Sequence, residues 1–276
     1  FDGDGRTDMT VFNPFGYLSW FILSMPTYEY LAWDIQWGFP GCYKVPGDYD
    51  GDGLADLAVY GNNGRWYIRR LDGSVLAWNF QWGNADMIPV YGDYDGDGRS
   101  DLAMFDRRTG RWYIYSLTGS IIAWNFQWGF PGADLVPGDY DGDGRYDLAV
   151  RDIASSRWYI RSLTGGTLAW NLQWGFNNTA TVPGDYDGDG RHDLAIYSRD
   201  TFRWFIRSLT GAVPLWNAQW GFGKTPAVPG DFDGDGRYDL AIRDPVNGQW
   251  FIRSVSGSVI AWSYYWGWNG EPVPRR

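Results

Sequence analysis

Apolar and polar residues alternate along this chain in short runs, and glycine, proline, asparagine and aspartate close each run. In "RWYIRSL" (Arg157–Leu163) the alternation puts Trp158 and Ile160 on one face and Tyr159 and Arg161 on the other. Nowhere does an apolar period of about 3.6 residues persist long enough for a helix. One stretch shows the elements this pattern predicts. "LVPGDYD" (Leu135–Asp141) leads into an acidic turn, and "DLAVRD" (Asp147–Asp152) leaves it. "RWYIRSL" follows a polar turn, and "TLAWNLQWG" (Thr167–Gly175) follows the pair Gly165-Gly166. Each run is short and rich in β-branched and aromatic residues, so each is predicted to be a strand.

The same four runs return throughout the chain. The acidic turn opens at Asp48, Asp93, Asp139, Asp185 and Asp231, a first step of 45 residues and then steps of 46. A further copy, lacking its first position, begins at Phe1-Asp2-Gly3-Asp4-Gly5. Tryptophan keeps the same period. Each unit carries a first tryptophan (Trp20, Trp66, Trp112, Trp158, Trp204, Trp250) and a second (Trp33, Trp78, Trp124, Trp170, Trp216, Trp262). A third follows four residues after the second (Trp37, Trp82, Trp128, Trp174, Trp220, Trp266). Trp268 is the one left over.

Six units of four strands, each about 40–50 residues long, predict an all-β fold, a β-propeller with six four-stranded blades. The approximate units are 1–47, 48–92, 93–138, 139–184, 185–230 and 231–276, within one domain spanning 1–276. The tail Val273-Pro274-Arg275-Arg276 aligns with Val45-Pro46-Gly47-Asp48, and the head continues where that tail stops. The N- and C-terminal segments are therefore expected to pair and close the propeller. An open solenoid, or a piece cut from a longer tandem array, is the alternative. The start inside a motif, with no signal-like segment, is the expected look of a processed or trimmed product.

The formal charge of −10 comes from 31 Asp and only two Glu, Glu29 and Glu271, and 23 of the Asp lie in the repeated turns. The acidity is thus local. It argues against nucleic-acid binding, which needs basic stripes, and no apolar run approaches a membrane span. The lone Cys42 has no internal partner for a disulfide and reads as apolar filler.

Four aspartates in nine residues repel one another unless a cation is present. Oxygen-only donors point to calcium rather than zinc or copper. Aspartates at the first, third, fifth and ninth positions and the backbone carbonyl of the seventh can converge on one ion, with glycine at the sixth, as at Gly144, permitting the turn. The loop is not an EF-hand, because that motif has Glu at its twelfth position, where this chain has Val150.

The pattern D-x-D-G-D-G-x-x-D-L-A, followed by "WYIRS" and "QWG", resembles the calcium loops of FG-GAP/VCBS repeats, seen in integrin α-subunit propellers and in bacterial surface and secreted proteins. The resemblance implies the metal ligands Asp139, Asp141, Asp143, the Arg145 carbonyl and Asp147. It implies in the same way Asp48, Asp50, Asp52, Leu54 and Asp56, and Asp93, Asp95, Asp97, Arg99 and Asp101. Asp185, Asp187, Asp189, Arg191 and Asp193, and then Asp231, Asp233, Asp235, Arg237 and Asp239, complete the set of five full loops. The first unit offers Asp2, Asp4, the Arg6 carbonyl and Asp8, with Arg276 where the tail should supply the missing Asp, so it is an incomplete sixth site. Six calcium ions would more than cancel the net charge, and chelation is expected to lower the melting temperature.

No constellation breaks the repeat to suggest catalysis. The single histidine, His192, sits where other units have Ser100, Tyr146 or Tyr238, and reads as a tolerated surface residue. Asp106, Asp152, Asp200 and Asp244 read as turn residues. The chain is therefore expected not to be an enzyme, with a polysaccharide-lyase-like activity as the alternative that the resemblance allows. A binding or adhesion module is favoured, with a glycan or a surface protein as partner. Candidate ligand-binding residues are Trp66, Arg69, Trp112, Trp158, Arg161, Trp204, Arg207, Trp250 and Arg253, since aromatic faces stack on sugar rings. The competing reading makes the tryptophans inter-blade core covered by arginine, and half-exposed tryptophans in clefts between blades would favour the sugar. A rigid protein-binding scaffold is the third reading. "FGYLSWFILSMPTYEYLAWD" (Phe15–Asp34) departs from the repeat and reads as drift of a terminal unit rather than a partner-facing edge. The resemblance implies an extracellular or cell-surface location.

Overall fold

A computed structural model describes residues 1–15, 17–267 and 270–273, and among these no helix occurs. The fold is a six-bladed β-propeller built from antiparallel sheets. The described residues fall into two compact units, Gly38–Asn177 and Phe1–Trp37 together with the chain from Asn178 onward. Each unit holds three blades.

In the first of these units the blades are the second, third and fourth. The fourth shows the plan: Asp134–Leu135, Leu148–Asp152, Arg157–Ser162 and Gly166–Gln173 lie side by side in chain order. Its first strand is shorter than the expected Leu135–Asp141. Pro137 has no N–H to give to a ladder, and pairing resumes only as the bridge between Gly138 and Asp147. The third strand matches its pattern, with Trp158 and Ile160 buried and Tyr159 and Arg161 half-buried. Blade packs on blade through this apolar face. Trp112 and Ile114 of the third blade join Leu148 and Val150 of the fourth in one core cluster, and Trp66 joins Leu102 and Met104 in the same way.

The other unit holds the fifth, sixth and first blades. Glu271–Pro272 pairs with Met9–Asn13 through Val11 with Pro272 and Phe12 with Glu271, so the C-terminal segment supplies the first strand of the first blade. Val273 N–H donates to the Thr10 carbonyl at 2.9 Å, as Val136 donates to Ala149 at 3.1 Å. Pro274, Arg275 and Arg276, the rest of the expected tail, lie outside the described residues, as does Trp268. The sixth blade has three full strands, and two isolated bridges, Ala227 with Ile242 and Gly230 with Asp239, stand in for the first.

The fourth strand of every blade carries a β-bulge that alternation alone does not foretell. Trp158 pairs with Leu172 and Ile160 with Ala169, so Trp170 and Asn171 together oppose Tyr159. Asn171 takes φ 61°, and the equivalent Asp34, Asn79, Asn125, Asn217 and Ser263 lie between 57° and 60° or at 55°. Asparagine and aspartate tolerate this left-handed conformation better than most residues. The bulge breaks the period of two and turns the second tryptophan of each blade outward.

Candidate functional site

Two features recur: the aspartate loop of each blade, and a tryptophan cleft between neighbouring blades of the same unit. The loop from Asp139 folds around its own carboxylates. Asp139 Oδ1 accepts Gly142 N–H at 2.6 Å, and its Oδ2 accepts Gly144 N–H at 2.8 Å. Both glycines have positive φ, 76° and 82°, which an aspartate side chain clasping its own loop requires of them. Asp147 Oδ2 accepts Tyr140 N–H at 2.8 Å and draws the end of the loop back to its start. Successive loops are tied together within each unit. Tyr146 N–H donates to the Asp93 carbonyl at 2.6 Å, and Tyr238 N–H to that of Asp185 at 2.6 Å.

This folding brings three carboxylates of each full loop together. The first, third and ninth positions form the groups Asp48, Asp50 and Asp56; Asp93, Asp95 and Asp101; and Asp139, Asp141 and Asp147. Asp185, Asp187 and Asp193, and Asp231, Asp233 and Asp239, make the other two groups, with oxygens all within 4.8 Å of one another. Oxygens that share an ion at about 2.3–2.6 Å are no farther apart than about 5 Å, so the spacing suits a hard divalent cation. The fifth-position Asp52, Asp97, Asp143, Asp189 and Asp235 lie outside these groups and accept the N–H of Leu54, Arg99, Arg145, Arg191 and Arg237.

The ninth position is the buried one. Burial, and after it the charge of the neighbouring aspartates, pushes Asp56, Asp147 and Asp193 up to about 7. The same causes push Asp101 and Asp239 up to about 8. Asp101 Oδ1 and Asp239 Oδ1 are buried, and among the described residues neither accepts a hydrogen bond. A buried carboxylate oxygen aimed at two more carboxylates is an unfavourable arrangement that a cation would stabilise. The residues present therefore fit a metal ion.

Two loops differ. In the incomplete first loop Asp2 Oδ2 accepts the Ser24 hydroxyl at 2.7 Å, Asp4 pairs with Arg6 at 3.2 Å, and Asp8 Oδ2 accepts the Phe1 nitrogen at 2.6 Å. Asp2, Asp4 and Asp8 do not form a three-carboxylate group among the described residues. In the second blade the Arg70 guanidinium pairs with Asp50 and lies 3.6 Å from Asp52. His192 packs against Tyr238 with ring centroids 6.1 Å apart, a packing contact between neighbouring loops.

The tryptophans sort by position. Trp66, Trp112, Trp158, Trp204 and Trp250, named above as candidate ligand-binding residues, are 0–1% exposed. They cannot touch a ligand from solvent. Alternation places them on the face that packs against the next blade, and each indole Nε1 is consumed internally, as Trp158 donates to the Trp174 carbonyl at 2.7 Å. The second tryptophans behave otherwise: Trp33 is 58% exposed, Trp170 69%, and the remaining four fall between. Each is held edge-on by the aromatic ring opposite its bulge, Trp170 by Tyr159 at 5.2 Å and Trp216 by Phe205 at 5.2 Å. Between blades of the same unit the third tryptophan of the preceding blade closes the cleft, with Trp82 lying 5.7 Å from Trp124 and Trp220 5.8 Å from Trp262. Of the candidate arginines, Arg161 lies over Trp128 at 5.6 Å and Arg253 over Trp220 at 5.8 Å, and Arg69 and Arg207 are half-buried at the same strand position.

The family model described as FG-GAP-like repeat matches residues 48–104, 93–150, 139–196 and 185–242. These overlapping matches cover more than half of the chain, which belongs to the FG-GAP-like repeat family. No curated protein matches it significantly. Among solved structures it resembles a lectin of Agrocybe aegerita that recognises non-reducing terminal N-acetylglucosamine. There the TM-score is 0.59 at 16% identity, over 92% of this chain and 75% of the lectin. It also resembles a Bacteroides caccae protein of unknown function, with TM-score 0.58 at 14% identity over 92% of both chains. BBS1N, solved in complex with ARL6DN, gives 0.55 at 14% identity over 94% of this chain and 76% of that one. At these identities the likeness shows the fold.

Proposed function

We propose that this chain is a calcium-stabilised, non-enzymatic binding module that presents its second tryptophans to glycans outside the cell. The observation that carries this reading is the outward tryptophan in every blade, 58–69% exposed and braced edge-on by the aromatic ring opposite its bulge. Soluble proteins bury most indole surface, and a braced, exposed indole beside hydrogen-bonding side chains suits stacking on a sugar ring. The related clefts between blades of the same unit would each bind weakly and gain through avidity. A lectin with the same fold gives this reading an example.

In each full loop the aspartates at the first, third and ninth positions would hold calcium, with the fifth-position carboxylate and the seventh carbonyl as the further oxygen donors the repeat offers. Bound calcium supplies charge neutralisation. The chain's own residues then fix the loop between two strands and, through the bonds between successive loops, fix one blade against the next. Millimolar extracellular calcium suits loops of this kind.

A glycan array probed in calcium tests the reading, with the Trp124→Ala, Trp170→Ala double variant beside the wild type. Binding to one class of sugar that weakens in the variant is expected. Silence of the folded wild type, or binding indifferent to both substitutions, would remove it.

A further inference from the structure

The cleft between the sixth and first blades departs from the repeat in a coordinated way. Where Arg161 and Arg253 lie over the third tryptophan of the preceding blade, the first blade has the buried Leu23. Where Arg65, Arg111, Arg157 and Arg203 donate to the bulge carbonyl, it has the buried Ser19. Where Asn79, Asn125, Asn171 and Asn217 occupy the bulge, it has Asp34. The hydroxyls of Tyr67, Tyr113 and Tyr159 donate to those asparagine side chains, but Phe21 stands in their place here and has no hydroxyl. Two cations are thus replaced by neutral residues, and one neutral amide by a carboxylate.

Aromatic rings fill what the arginine leaves. Tyr30 stacks on Trp266 at 5.5 Å and 21°, and Trp33 stands at 59° to Trp266, 6.0 Å away. Phe21 braces Trp33 edge-on at 5.3 Å. Together with Asp34 and Tyr265 these rings line an open cleft of about 440 Å³. Tyr30, Trp33 and Tyr265 are all more than half exposed. The buried Arg243 donates to the carbonyls of Gly267 and Gly270, two residues of the cleft wall.

We propose that this cleft binds a methylated ammonium group, the chemistry of a choline headgroup. Ring faces attract a cation through their quadrupoles. Methyl groups match apolar ring surface, and Asp34 supplies the countercharge. The other bulges carry asparagine or serine in place of this carboxylate, and the inference stands whether or not the other blades bind sugars.

Isothermal titration with choline, tetramethylammonium and the neutral choline isostere 3,3-dimethyl-1-butanol tests it. Choline is expected to bind saturably, and the isostere about tenfold more weakly or not at all. Asp34→Asn installs the residue that four other blades carry, so its melting curve should match the wild type while choline binding weakens about tenfold. Tyr30→Ala is expected to weaken choline as well. Phosphatidylcholine vesicles, run beside free choline, distinguish a membrane headgroup from a soluble ligand, and saturable binding of either sustains the proposal. Equal affinity for choline and its isostere, unaltered binding in Asp34→Asn, or no saturable binding to any of the cations or to the vesicles would overturn it.

Discussion

Trp128 of the third blade and Trp170 of the fourth lie with ring centroids 5.6 Å apart, their planes at 60°. The first is 9% exposed and the second 69%. One ring anchors the cleft and the other projects from it. The pairing returns as Trp82 with Trp124, Trp220 with Trp262 and Trp266 with Trp33. A residue type that dominates the core thus also builds the surface, and sequence position decides which role each copy takes.

Substituting the first and second tryptophans should therefore separate stability from binding. Trp158→Ala empties a fully buried site and is expected to cost about 3–5 kcal/mol of folding stability. Trp170→Ala loses edge contacts alone and is expected to cost about 1 kcal/mol, while weakening glycan binding. Urea denaturation of both variants checks the difference.

The repeat made the strands and the blade count legible, and a strict period of two put Trp158 and Ile160 on one face, but it left open whether that face met a ligand or the next blade. It hid the role of Trp170. Alternation through "TLAWNLQWG" assigns Trp170 and Leu172 one face, yet Asn171 at φ 61° inserts a bulge between them, and a left-handed asparagine leaves only a weak mark in sequence. The loop was legible in its aspartates and less so in its geometry, since all four look equivalent until the backbone gathers the first, third and ninth. Phe15–Asp34 read as drift for a similar reason: the stacking of Tyr30 on Trp266 joins residues from opposite ends of the chain.

Asp101 carries the buried, undonated oxygen of its loop. Asp101→Asn should keep the hydrogen bond from Tyr94 N–H, now 2.7 Å, and remove the charge. In EDTA the variant is expected to melt at or above the wild-type temperature, because an unfavourable buried carboxylate is gone. In calcium it should melt below the wild type, because a ligand is gone. Melting curves without this crossover would contradict the metal role of Asp101.

The pH dependence follows from the raised carboxylates. Asp56, Asp147 and Asp193 at about 7, and Asp101 and Asp239 at about 8, compare with 3.8 for an ordinary aspartate. Between these values the metal-free folded chain holds more protons than the unfolded one, so its stability falls as pH rises from about 4 to about 8. Calcium competes with those protons and gains most at the upper end. The melting temperature in calcium minus that in EDTA should widen from pH 5 to pH 8, and scanning calorimetry across that range measures it.

Arg70 already places a cation on Asp50 in the second blade, where other blades have Ser116, Ser162, Ser208 and Ser254. Calcium must share that carboxylate with the guanidinium or displace it. The loop from Asp48 is expected to be the weakest of the five full sites, and Arg70→Ser to tighten it about tenfold. Competition of a fluorescent chelator with each protein for calcium reads the change.

Counting bound calcium most directly tests whether the aspartate loops are metal centres. Native mass spectrometry of the metal-stripped chain, titrated with calcium, should show five ions bound to the folded protein, with Asp101→Asn and Asp147→Asn each removing one. A folded chain that binds no calcium, or whose count is unchanged by both substitutions, would contradict the reading.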